Sequence, residues 1–180
     1  MRFRVLVYVL AAFAVRADVR DCVCNLDSPS ITETRGCSLC LEAEKQSSGA
    51  PVFALHDNDP AKPNRWLILT RAHVDGPNPL TKMSAGDRLA FWDAAIAKGK
   101  EVWGGDWAVA MNGDIARRQC HFHAHVGKLL DGKESDAGFF VDGAADLPVL
   151  TDGTGFWFHP SGARLHVHEG EQNNEAVLLK

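Results

Sequence analysis

Three histidines recur at every second position in Gln119-Cys120-His121-Phe122-His123-Ala124-His125-Val126, and this alternation constrains the chain more than any other feature. In an extended strand successive side chains point to opposite faces. The three imidazoles therefore share one face, and Phe122, Ala124 and Val126 occupy the other. The result is a reactive face backed by an apolar one. At a rise of about 3.3 Å per residue, neighbouring imidazoles lie roughly 6.6 Å apart, close enough for two of them to reach one phosphate or one metal ion. Three histidines in register mark a site, and the spacing leaves nucleophilic and metal-binding chemistry both open.

Upstream, Trp107-Ala108-Val109-Ala110-Met111 reads as a short buried strand that ends in the polar turn Asn112-Gly113, followed by Asp114, Arg117 and Arg118. Strand, Asn-Gly turn, arginine and His-x-His-x-His strand, in that order, resemble the histidine triad superfamily. The variant Asn112-Gly113-x-x-x-Arg117-x-Gln119-x-His121-Phe122-His123-x-His125 looks most like the CDP-diacylglycerol diphosphatase branch. The resemblance runs from about Cys37 to Leu130, and it departs from the family pattern at Gly127, where a second apolar residue is usual.

The resemblance implies an α+β fold, an antiparallel sheet packed against one main amphipathic helix. It also implies hydrolysis of a phosphoanhydride in a nucleotide derivative through a phosphohistidine, with no cofactor needed for catalysis. The catalytic set carried over is His123 as nucleophile, His125 at the transferred phosphate or bridging oxygen, His121 orienting the set and Arg117 bearing charge on the nonbridging oxygens. Asn112 and Gln119 fall at the substrate-binding positions. Many relatives also hold a structural zinc ion, and the matching ligands here are Cys37, Cys40, His73 and His121. Two thiolates and two imidazoles make a reasonable tetrahedral shell.

Met1 to Ala17 carries Arg2 and Arg4, an apolar run from Val5 to Val15, and Val15-Arg16-Ala17 before a cleavage point. This fits a secretory signal peptide; a span needs about 20 apolar residues. A secreted or periplasmic chain is the expectation, and a lipid-linked nucleotide diphosphate at a membrane surface fits that compartment better than a free dinucleotide does. Export also permits disulfides. The mature cysteines are Cys22, Cys24, Cys37, Cys40 and Cys120, an odd number, and two disulfides among the first four compete with zinc.

With 180 residues, 46% of them hydrophobic, the chain suits one compact domain. A formal charge of −4 with no basic run argues against broad binding to nucleic acid. The sequence divides into the signal peptide (1–17), a cysteine-containing arm (18–36), the triad domain (37–130) and a β-rich C-terminal extension (131–180). Pro51 to His56 and Arg65 to Thr70 read as an antiparallel hairpin with a long loop. Ser84 caps a helix through Trp103, with Leu89, Trp92, Ile96 and Trp103 on its apolar stripe, and Gly104-Gly105 stops it. Near the end, Arg164-Leu165-His166-Val167-His168 alternates again. With Glu169 it resembles a metal set, although an exposed hairpin face is the preferred reading. Two further functions stay open: an exported metal-binding protein using His121, His123 and His125, with His166 and His168 as additional candidates, and an inactive binding module of the same fold.

Overall fold

The computed structural model describes residues 19, 38–74 and 76–180. The expected signal peptide, Cys22, Cys24 and Cys37, and the arm apart from Val19 lie outside the described residues. In chain order the elements are α1 (Ser38–Glu44), β1 (Val52–His56), β2 (Trp66–Thr70), α2 (Ala85–Trp103), β3 (Trp107–Met111), β4 (His123–Lys128), β5 (Phe139–Val141), β6 (Gly155–Ser161) and β7 (Arg164–Glu171). The strands form one sheet in the order β1-β2-β4-β3-β6-β7-β5. Every pairing is antiparallel. The architecture is therefore α+β, and the β-rich C-terminal residues continue the same sheet by adding β6 to the free side of β3. No helix among the described residues is long and apolar enough to cross a membrane.

α2 covers one face. Ser84 accepts a hydrogen bond from the Asp87 amide at 3.1 Å, satisfying an otherwise orphaned donor of the first turn, and Gly104 ends the helix at a positive φ of 64°. The buried stripe is Phe91, Trp92, Ala95 and Gly99. Leu89, expected on that stripe, is exposed, because it lies about 100° around the helix from the centre of the buried stripe. Beneath the helix lie Trp107, Val109, Phe122, Ala124, Val126, Phe156 and Phe158. At Gly99 an added Cβ would sit 2.7 Å from the Trp107 ring, so a glycine is what lets helix and sheet approach there.

The opposite face is only partly covered. Leu39 of α1 packs on Leu67 and Leu69 of β2, and Val177 and Leu178 from the C-terminal turn Asn174–Val177 and its end pack on Ala108, Ala110 and Trp157. Arg65 holds that tail down. Its guanidinium donates to the Glu175 carboxylate at 2.6 Å and to the carbonyls of Glu175, Leu178 and Leu179 at 2.9, 2.9 and 3.1 Å. Between α1 and the tail, the histidine-bearing face of β4 stays open.

Candidate active site and metal-binding groups

The register of β2 on β4 divides the three histidines. Leu67 pairs with His125 and Leu69 with His123, so β2 ends before a partner for His121 is reached. The expected strand through His121 therefore begins two residues later, at His123. His121 uses its ring instead, with Nε2 2.7 Å from the Thr70 carbonyl oxygen. A carbonyl only accepts, so Nε2 carries the proton and Nδ1 the lone pair.

His121 is grouped with Cys40 and His73: one ligand atom from each lies within 4.8 Å of the others, and the three can hold a metal ion. His73 stands edge-on to His121 with centroids 5.2 Å apart, and its Nε2 is 2.6 Å from the Glu44 carboxylate. Three of the four expected zinc ligands thus come together from α1, the segment after β2 and the start of the triad. The fourth, Cys37, lies outside the described residues. Cys40 is a buried thiol, whereas Cys120 is disulfide-bonded. This corrects the alternative in which Cys22, Cys24, Cys37 and Cys40 form two disulfides, since oxidation takes Cys120 and not Cys40.

His123 and His125 form the second group, edge to face with centroids 5.0 Å apart. The His123 Nδ1 lies 2.9 Å from the His121 carbonyl oxygen, which makes Nδ1 the protonated nitrogen and leaves the lone pair on Nε2. Burial, followed by repulsion from His125, lowers the His123 pKa to about 3. Burial likewise lowers His125 to about 4, against the attraction of Glu175. Both rings are neutral at pH 7.

The two rings line a cleft of about 560 Å³ with Asn112, Gln119, Arg118 and Glu175. The carbonyl oxygens of Asn112 and Gln119 are engaged by the fold, accepting from the Glu175 amide at 2.9 Å and from the Ser38 hydroxyl at 3.0 Å. The expected role of Arg117 needs correction. Its guanidinium is turned inward, buried, where it pairs with Asp114 at 3.3 Å and donates to the Gly76 carbonyl. The arginine that lines the cleft is Arg118.

Glu175 is a cleft residue that sequence reasoning missed. It sits 3.7 Å from the His125 Nδ1 and is bound by Lys62 at 2.7 Å as well as by Arg65. Burial alone would raise its pKa, but His125, Lys62 and Arg65 outweigh burial and hold it at about 2. Of these the two permanent cations act at neutral pH, where His125 is uncharged. An isolated glutamate in a polar tail carries no signal of this; only the Arg65 anchor brings it to β4.

The expected exposed hairpin at His166 and His168 is also corrected. Both are buried, and the third member of their group is His159 of β6, while Glu169 is exposed. His159 was missed because no fixed spacing links it to His166; the turn at Gly162 and the pairing of β6 with β7 bring them face to face. No protein-family profile, curated protein or solved structure matches this chain.

Proposed function

We propose that this chain is an exported hydrolase that cleaves the phosphoanhydride of a nucleotide derivative through a phosphohistidine, with a triad-type arrangement of the fold. The observation that carries the reading is the state of His123: a neutral ring on a cleft, its Nδ1–H held by the His121 carbonyl and its lone pair on Nε2. Such a ring needs no separate base to attack phosphorus. As the Nε2–P bond forms, the P–O bond to the leaving phosphate breaks and its electron pair departs with that oxygen. Positive charge builds on the imidazole, and the Nδ1–H donated to the His121 carbonyl strengthens as it does. Water then attacks the phosphorus, the N–P bond breaks with its pair returning to Nε2, and the water proton passes by way of His125 to solvent.

In this reading His125 donates to the bridging oxygen, the amide NH2 groups of Asn112 and Gln119 bind phosphate or sugar, and Arg118 with Lys62 supplies the positive charge first expected of Arg117. Arg117 instead holds the Asp114 and Gly76 turns behind the nucleophile. Cys40, His73 and His121 would hold a zinc ion, which would tie α1 to the segment before β4 and so steady the His121 carbonyl that orients His123. The disulfide at Cys120 supports an exported protein, and export favours a lipid-linked nucleotide such as a CDP-lipid as substrate. A reading in which one metal ion is held by all three triad histidines gains less support, because the metal-capable group contains His121 without His123 or His125.

Rapid quenching of the mature protein with labelled dinucleotide and nucleotide-lipid substrates tests the proposal. The expected result is label on a histidine, labile in acid and stable in base, that His123→Ala abolishes together with turnover. Turnover of His123→Ala at near the wild-type rate, or label mapping to another residue, refutes it.

A further inference from the structure

The sheet carries another histidine group on the same face as His123 and His125. Across the strands His125 lies opposite Ala110, Ala110 opposite Trp157, and Trp157 opposite His168. His168 is thus three strands away from His125, about 14 Å at the usual strand spacing. Val177 and Leu178 cover the ground between them. His166 precedes His168 by two residues on β7, and His159 is its direct partner on β6, so all three imidazoles leave the sheet on one side. One ring nitrogen from each lies within 4.8 Å of the others.

Burial makes this more than a stack of rings. Exposures are 4% for His159, 4% for His166 and 8% for His168, and the Nε2 of each is buried without a hydrogen-bond partner. Trp157 stacks on His168 at 3.8 Å and Phe140 on His166 at 4.3 Å, contacts that phenylalanines could make with no nitrogen to desolvate. The His159 Nδ1 donates to the Pro160 carbonyl at 3.1 Å. This bond puts the His159 proton on Nδ1 and the lone pair on Nε2, the tautomer that outer partners impose on metal-bound histidine. Beside His168 a second cleft of about 470 Å³ opens, lined also by Lys133, Ser135 and Glu169.

We propose that His159, His166 and His168 bind a divalent transition-metal ion through three imidazoles, at a site separate from Cys40, His73 and His121 and with a further position reachable from the cleft beside His168. Imidazole donors select zinc, copper or nickel over calcium or magnesium, which take oxygen ligands. Metal–nitrogen bonds of about 2.0–2.1 Å require the donor atoms to close in by about 1 Å from their present spread, within reach of side-chain rotation. Three histidines and one open position form the donor set of zinc sites that activate water, so the ion here is expected to exchange a water or small-anion ligand with the cleft. The inference stands apart from the reading of His123, and its test reads metal and not turnover.

The experiment is a cobalt(II) titration of chelator-stripped mature protein. Wild type is expected to bind two equivalents, one with a thiolate-to-cobalt charge-transfer band and one without it. Cys40→Ser should lose the charge-transfer band and keep the other equivalent. Adding His159→Phe and His168→Phe, which preserve the ring stacking, should weaken that remaining site on the order of a hundred-fold, the upper end of what losing even an outer partner costs. A Cys40→Ser protein that binds no cobalt, or whose binding is unchanged by the two phenylalanines, overturns the proposal. Should the phenylalanine variants fail to fold, nitrogen NMR of the wild type with zinc decides: a shift of the His159 and His168 Nε2 resonances supports the site, and unmoved resonances overturn it.

Discussion

Side chains one position apart have opposite tasks in this protein. Arg117 is buried in an ion pair and Arg118 lines the cleft, although a sequence presents them as an undifferentiated basic pair. Arg118→Ala is expected to lower kcat/KM about tenfold with stability unchanged, since an exposed cation falls below the 10²–10³ of a desolvated donor. Arg117→Ala, by stranding buried Asp114, should cost stability on the order of 3 kcal/mol, read in urea denaturation. The buried titratable groups set the acid response. The folded-state pKa of His125 is depressed from 6.5 to about 4, so its contribution is fully present above pH 6.5 and is lost as pH falls towards 4. Glu175, depressed from 4.5 to about 2, contributes fully above pH 4.5 and loses that contribution as pH falls to 2. His125→Gln should therefore make stability fall less steeply between pH 6.5 and 4, leaving the part that His123, lowered to about 3, supplies over the same range. Glu175→Gln should flatten the pH dependence between 4.5 and 2 while removing at most roughly 3 kcal/mol at neutral pH. Denaturant midpoints across pH separate the two windows, and parallel curves for wild type and both variants would contradict the assignment.

At the scale of elements, α2 and β3 show how local preference and tertiary contact trade off. Gly99 lies inside a helix, where alanine is favoured by about 1 kcal/mol. Yet the added methyl would meet the Trp107 ring at 2.7 Å, and that ring is locked in the core. Overpacking of this kind costs about 1–3 kcal/mol, so Gly99→Ala should be destabilising by calorimetry despite its better helix propensity. Ser84→Ala removes the cap hydrogen bond to Asp87 and is expected to cost about 1 kcal/mol. The expected apolar stripe placed the helix correctly and its buried side imperfectly: Trp92 is in the core and Leu89 is not. Four apolar positions can be joined into more than one helical stripe, and the sheet beneath selects among them.

For the whole molecule, the C-terminal tail is the piece that joins distant parts. It covers Ala108, Ala110 and Trp157, delivers Glu175 to the first cleft and Val177 to the second, and satisfies the buried guanidinium of Arg65. Deleting residues 173–180 should remove two buried apolar side chains, roughly 1.5–3 kcal/mol each, and leave Arg65 uncompensated at a further cost of about 3–5 kcal/mol. Their combined size rivals the net stability of an ordinary domain, about 5–15 kcal/mol. The truncated chain is expected to show little or no cooperative urea transition, and an unchanged midpoint would mean that the tail is dispensable to the fold.

What the sequence determined by itself is whatever depends on neighbours in the chain. Alternation in Phe122-His123-Ala124-His125 decided which residues of β4 are core and which face the cleft, and Ser84 with Gly104-Gly105 bounded the main helix. Cys40, His73 and His121 could be joined only through a resemblance, but their types already suited a metal. Tertiary structure decided everything that depends on where an element stops and what comes to lie beside it. Because β2 ends at Thr70, His121 falls outside the β2–β4 register and its ring turns to the Thr70 carbonyl, while the rings of His123 and His125 line the cleft. Because β6 returns against β7, His159 meets His166 and His168. Glu175 reaches His125 because Arg65 needs its carboxylate. Side-chain periodicity is a property of local backbone geometry and is written in adjacent residues, whereas pairing register and burial are settled by the whole sheet at once.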